Sequence, residues 1–261
     1  MFKTLLLSLS LLFSAPLYAQ TRHITLSESQ ITTLAHLIWQ NEGAGKVENL
    51  SIWSKFEAFP SLGIGHFIWY PTDVKGPYIE QFPEMIGYLA DNGIPLPSWL
   101  NVNVPAPWKT REAFHLAFDG TQLSELRSLL KQTTTLQARF IIKRLERGIP
   151  AILNASSERE QVKLNKSFSL LTSTAAGTFA LLDYINFKGE GISEKERYQG
   201  KGWGLKQVLL NMPDQTDNAL LSFALSADEV LTRRVKNAPK NEINWLAGWR
   251  VRVHKYPLLV I

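Results

Sequence analysis

An amphipathic helix that runs into a glycine-broken stretch of strand-like residues constrains this chain more than any other feature. Ile31, Leu34, Ala35 and Ile38 recur at i, i+3, i+4 and i+7, the spacing of one buried helical face. The next position on that stripe is Glu42, so a carboxylate continues the apolar face where Gly43 and Gly45 are expected to stop the helix. The pattern then changes to that of strands. Residues 50–56 and 61–70, joined by Glu57, Ala58, Phe59 and Pro60, read as a β-hairpin. Gly63 and Gly65, two apart in the second strand, imply close backbone approach by a ligand or a neighbouring element. A half-buried acid beside a glycine-rich hairpin suits sugar chemistry. Cleaving a glycosidic bond needs an acid that stays protonated near neutral pH, and desolvation raises a carboxyl pKa.

Asn41-Glu42-Gly43, followed by Ser61-Leu62-Gly63-Ile64-Gly65-His66, resembles the active-site region of phage-type lysozymes, and the likeness covers residues 38–70. It implies a lysozyme-like fold: mainly α (α+β), a helical core with one small β-hairpin lobe. It places Glu42 on the family's general acid and Ser61 on its active-site threonine. Lys55 occupies the position of the family's second carboxylate, an aspartate. Glu57 is the nearest acid and the candidate base, nucleophile or charge stabiliser. A solvated turn glutamate is the plain alternative for Glu57, and an ion-paired glutamate is the plain alternative for Glu42. Gly63, Gly65, His66 and Trp69 would line the cleft, although His66 also reads as a hydrogen-bonded structural histidine.

A second candidate region begins at Asp183-Tyr184-Ile185-Asn186 and continues through Glu190, Tyr198 and Trp203. Its glycines allow backbone to approach a ligand, and Tyr, Trp and Asn stack on and hydrogen-bond sugars. Tyr184, Asn186, Glu190, Tyr198 and Trp203 are therefore candidate substrate-binding residues on the opposite wall. The bland reading is a basic loop capping a buried helix. Gly204-Leu205-Lys206-Gln207 bears a loose likeness to a Gly-Leu-Met-Gln run of lytic transglycosylases. Trp245, Trp249 and Tyr256 recur near helical spacing and read as core.

Around these regions the chain is organised as one domain over 20–261. A hairpin lobe covers about 46–70, a Pro/Trp-rich insertion about 71–109 and a helical lobe 110–261. Either Thr25/Glu28 or Ser27/Gln30 forms the capping box of the first helix. The insertion is expected to be ordered, with one short helix at 83–92, because Trp99 and Trp108 call for burial. Helices are expected at 110–118, 121–131, 134–147, 158–171, 174–187, 203–212, 217–236 and 241–255. Gly148 and Pro150 should end the third of these.

Residues 1–19 read as a secretory signal: Lys3, an apolar run over 5–13, and a cleavage region ending at Ala19. No later stretch is long and apolar enough to span a bilayer. The expectation is a periplasmic or secreted protein with no integral membrane segment after signal removal. The absence of cysteine excludes disulfides and thiolate chemistry. The five histidines show no metal-ligand spacing, so neither metal nor other cofactor is expected. The net charge of +5 favours an anionic partner, here peptidoglycan or a related aminosugar polymer rather than nucleic acid. The expected activity is a lysozyme-like glycan hydrolase. Its rivals are a lytic transglycosylase, a chitosanase-like hydrolase, and a catalytically silent glycan-binding module.

Overall fold

The computed structural model describes residues 23–76 and 78–261; the expected signal segment, 1–19, lies outside them. The described chain is mainly helical, with ten α-helices, a small three-stranded antiparallel sheet and a two-stranded hairpin. No helix in it is long and apolar enough to cross a membrane.

Helix α1 (Glu28–Gly43) starts at Ser27. The Ser27 hydroxyl accepts from the Gln30 N–H, and the Gln30 side chain accepts from the Ser27 N–H, so the second of the two possible capping boxes forms. Ile31, Leu34, Ala35 and Ile38 are buried as their spacing requires. Full burial of such aliphatic side chains is worth roughly 1.5–3 kcal/mol each. Gly43 is still helical. The chain leaves the helix at Ala44 and Gly45, with φ of 53° and 68°. Their N–H groups donate to the carbonyls of Gln40 and Trp39, which satisfies the helix end.

The expected hairpin is a three-stranded meander: β1 (Ser51–Ile52), β2 (Ser61–Leu62) and β3 (Phe67–Ile68), with β2 in the centre. Ser61 pairs with Ile52 on one side and Ile68 on the other. Residues 63–66 form a turn rather than strand. Gly63 has φ 72°, its N–H donates to Leu50 O at 2.8 Å, and the His66 N–H donates back to Gly63 O at 3.3 Å. A neighbouring helix explains both glycines. A Cβ on Gly63 would strike Gln137 Oε1, and one on Gly65 would sit 2.9 Å from the Phe67 ring and 3.1 Å from Ile141. Gln137 and Ile141 belong to α5 (Thr134–Asn154).

The Pro/Trp-rich segment is ordered around α2 (Phe82–Asp91). Trp69, expected in the cleft, is fully buried there instead. Its ring meets Phe82 at 4.7 Å and Trp108 at 6.1 Å, and its Nε1 donates to Val104 O. This pins the segment to β3. Trp108 is buried, and half-buried Trp99 donates to Glu125.

Helices α3 (Arg111–Leu116), α4 (Thr121–Gln132), α6 (Glu158–Thr172), α7 (Ala175–Lys188), α8 (Leu205–Asn211), α9 (Ala219–Asn237) and α10 (Ile243–Val253) follow the expected order. Helix α5 differs: it runs through Gly148 and Pro150 to Asn154. An interior proline costs about 3 kcal/mol. Burial of Ile152 and Leu153 beyond it is large enough to offset that cost. Gly148 lies inside the helix, where a Cβ would come within 3.0 Å of Glu190 Oε1. Helix α7 is the central element. Residues 175–184 are all buried, and the helix packs on α1, α5, α6, α8 and α9. The glycine-rich stretch after α7 carries a hairpin absent from the sequence reading: β4 (Arg197–Tyr198) and β5 (Lys201–Gly202), turned by Gln199 and Gly200 at positive φ. The expectation for α10 fails at one position. Tyr256 is buried and Trp249 half-buried, but Trp245 is 61% exposed.

Candidate functional site

Four elements converge on Glu42. It sits at the end of the buried stripe of α1, and its side chain is 15% exposed. Arg252 of α10 donates through Nη2 to Glu42 Oε1 at 2.6 Å. Asn186 of α7 donates to the same oxygen at 3.3 Å and to Gly65 O, in the turn between β2 and β3, at 3.5 Å. From that turn His66 brings Nδ1 to 3.5 Å from the other oxygen, Oε2.

Behind Glu42 lies a second carboxylate, Asp183 of α7, almost fully buried. Arg252 bonds both its oxygens, through Nε at 2.8 Å and Nη2 at 2.7 Å. Tyr256 donates its hydroxyl to Asp183 at 2.7 Å and Asn41 its amide at 3.1 Å. Burial alone would pull the Arg252 guanidinium down. Asp183 and then Glu42 outweigh burial and hold it above its ordinary value. The Tyr256 hydroxyl is pushed far up, first by burial and then by Asp183. The guanidinium also lies 4.3 Å from the Phe187 ring centre. One arginine thus orients two carboxylates from different helices.

His66 is held in a costly state. Its φ of 49° lies in the left-handed region, uncommon for a residue other than glycine. Its Nε2 is buried and has no hydrogen-bond partner among the described residues. Burial lowers its pKa, against the pull of Glu42 and of the Asn49 carbonyl and with the push of Arg252.

Of the residues expected at a cleft, the structure brings together Glu42, Asn186, His66 and, through its carbonyl, Gly65. Among the described residues no hydrogen bond joins Glu57 or Ser61 to Glu42. Glu57 occupies the exposed turn between β1 and β2, where its carbonyl accepts from Trp53 Nε1. Although the residue is largely exposed, nearby protein dehydrates the carboxyl enough to raise its pKa. Ser61 is buried in the central strand. Gly63 packs against α5.

Tyr184 is a core residue, not a ligand contact. It is fully buried, and its hydroxyl donates to Trp203 O at 2.8 Å. Trp203 is buried too, between the Tyr198 ring at 4.4 Å and the Arg234 guanidinium at 4.2 Å. The Tyr198 hydroxyl donates to Glu242, which also pairs with Arg234. Glu190 is half-buried against Gly148 of α5; burial and then Glu196 raise its pKa, against Arg144.

The sequence reading missed Arg252, Tyr256 as a hydrogen-bond donor, and Asp183 as an anchor. One signal for Arg252 existed. It follows Trp245 and Trp249 at i+7 and i+3 and precedes Tyr256 by four, so a cation interrupts an aromatic stripe much as Glu42 interrupts an aliphatic one. Among the described residues no group of His, Asp or Glu side chains is placed to hold a metal ion. A depression of about 590 Å³ on α9 and α10 is lined by Asp228, Arg233 and Arg250 among others, without Glu42. No family model, no curated protein and no solved structure matches the chain.

Proposed function

We propose that this protein is an exported glycan hydrolase of lysozyme-like character that acts on peptidoglycan, with Glu42 as general acid. One observation carries the reading: Glu42 ends a buried helical stripe, yet keeps one carboxylate oxygen, Oε2, that no described residue engages closer than 3.5 Å. In the reaction Glu42 gives a proton to the leaving glycosidic oxygen as that bond breaks. The oxocarbenium-like centre is then captured by water, whose proton returns to a carboxylate. Arg252 and Asn186 fix Oε1, so the carboxyl plane is set before substrate arrives. Asp183 is wholly engaged by Arg252, Tyr256 and Asn41, so it serves as an anchor rather than as the second acid. Glu57 is the candidate for that role.

Digestion of purified sacculi by wild type and Glu42→Gln, with products read by mass spectrometry, tests this. Wild type should release muropeptides with reducing ends, and the variant should lose about 10²–10⁴-fold in turnover. Anhydro ends would make the protein a lytic transglycosylase. Lys55 at the position of the lysozyme aspartate favours that second reading, because a substrate hydroxyl then serves as nucleophile. Cleavage of chitosan supplied as a separate substrate, with sacculi left intact, would point to a chitosanase-like hydrolase. The Arg252–Glu42 ion pair favours a third, a glycan-binding module in which Glu42 is only a strut between α1 and α10. In that case the variant loses stability and no products form with either protein.

A further inference from the structure

Helix α10 carries a face that its own packing does not explain. Trp245, Gly248, Trp249 and Arg252 fall at i, i+3, i+4 and i+7, on one side of the helix. The helix buries Leu246 and Val253 elsewhere, against the core. Trp245 is 61% exposed. Gly248 is exposed, and a Cβ built on it would meet nothing within 4 Å. No protein neighbour therefore requires glycine here, in the middle of a helix where glycine is unfavourable. Trp249 is half-buried and held from one side: Lys188 Nζ lies 3.6 Å from its ring centre, the Arg234 guanidinium 4.9 Å, and the Phe187 ring 6.4 Å at a steep angle. Arg252, at the end of the row, bonds Glu42. At 1.5 Å rise per residue the row spans about 10 Å.

An exposed indole, a gap left by a glycine and a second, braced indole follow one another along one side of α10, in a row that ends at Arg252, the partner of Glu42. Sugars bind such surfaces by laying the apolar face of the ring on an indole, and they need backbone clearance beside it. Lys188, half-buried behind the Trp249 ring, braces that indole from the protein side. We infer that the Trp245–Gly248–Trp249 face of α10 is a binding track for a glycan strand, which it feeds to Glu42. The inference rests on the glycan reading of the Glu42 site and adds the residues that would select long strands over short ones.

The test compares wild type with Trp245→Ala, Gly248→Leu and the control Gly248→Ala. Each is measured by co-sedimentation with sacculi, by KM and kcat on long peptide-free glycan strands, and by kcat/KM on a short oligosaccharide from the same strands. Trp245→Ala and Gly248→Leu should weaken sedimentation and raise the long-strand KM about tenfold, with kcat, short-substrate turnover and melting temperature unchanged. Gly248→Ala should bind nearly as wild type and melt no lower, because its methyl meets open space. If wild type cleaves strands and the two track variants match it, the track is wrong and the catalytic reading stands. If wild type binds strands through Trp245 but cleaves nothing, the track stands and the catalytic reading falls. Binding and cleavage both absent in wild type overturn both. Trp245→Ala that alters only self-association or vesicle binding assigns the face to a second copy or a lipid surface and also overturns the track.

Discussion

Asp183 and Glu42 share one arginine but not one fate. Asp183 is 1% exposed in its side chain, and both its oxygens are engaged, by Arg252, Tyr256 and Asn41. Glu42 is 15% exposed and presents one oxygen to Arg252 and Asn186, the other only to His66 at 3.5 Å. A carboxylate on the buried helix α7 has every lone-pair direction answered by protein. One at the end of α1 is left with unanswered capacity. The pair shows how one guanidinium can brace a core and still hold a second acid open to chemistry.

The comparison breaks most visibly at Asp183. Asp183→Ala leaves the buried Arg252 guanidinium and the Tyr256 hydroxyl without their main partner. Removing one member of a buried ion pair costs about 3–5 kcal/mol. A large drop in the denaturant midpoint is expected. A loss below about 1 kcal/mol would mean that Asp183 is no anchor. Glu42→Gln should behave in the opposite way. Its amide oxygen still accepts from Arg252, so stability should fall by only about 1 kcal/mol while turnover falls by the factor given above. Equal stability losses for the two variants would erase the distinction.

Lys188 sharpens the comparison through pH. Burial, then Arg234 and Arg252, push its ammonium from 10.5 down to about 6, with Glu242 pulling the other way. Between those values the unfolded chain binds a proton that the folded chain does not. Stability from this group therefore rises with pH across the window, and the penalty is full only below about 6. Lys188→Met should raise the melting temperature, more at pH 6 than at pH 9. An equal gain at both would show that Lys188 keeps its charge. The smallest effect is expected at His66. Burial lowers its pKa, so the unfolded state takes up its proton first and stability falls as pH drops below 6.5. His66→Asn accepts the left-handed backbone and lacks the titration. Its stability at pH 7.5 should match wild type within about 1 kcal/mol, and the slope of melting temperature between pH 7 and 5.5 should be shallower.

Local features were readable from the chain. The period of α1 and the placement of Glu42 on a buried stripe follow from spacing alone, as does the central burial of α7, whereas spacing left two capping boxes of which Ser27–Gln30 forms. The misreadings arise where distant packing decides. Pro150 was expected to end α5, but buried side chains beyond it continue the helix. Gly63 and Gly65 read as a place for a ligand, and α5 fills that place. Trp69 and Tyr184 carry the residue types of a sugar site, yet each is enclosed with aromatic neighbours from elsewhere in the chain, Phe82 and Trp108 for Trp69 and Phe223 for Tyr184. Trp245 fails in the reverse sense, since helical spacing cannot say that its side of α10 has no partner. The other half of the site left only the signal of a cation on the aromatic stripe of α10, with nothing to pair it with Glu42. Nothing near Glu42 in sequence announces Arg252.

That bond joins residues 210 positions apart, which sets when the site can exist. Contacts between remote parts of a chain form late, because the long loop between them must close first. In the folded protein the Arg252 guanidinium bonds both Glu42 and Asp183 and so offsets the repulsion between these two carboxylates. The Glu42 site therefore depends on both ends of the described chain at once. A chain cut before α10 would hold every residue of the Gly-rich turn and still lack a working carboxylate. The carboxylate that the N-terminal helix presents is set by a cation that the C-terminal helix supplies.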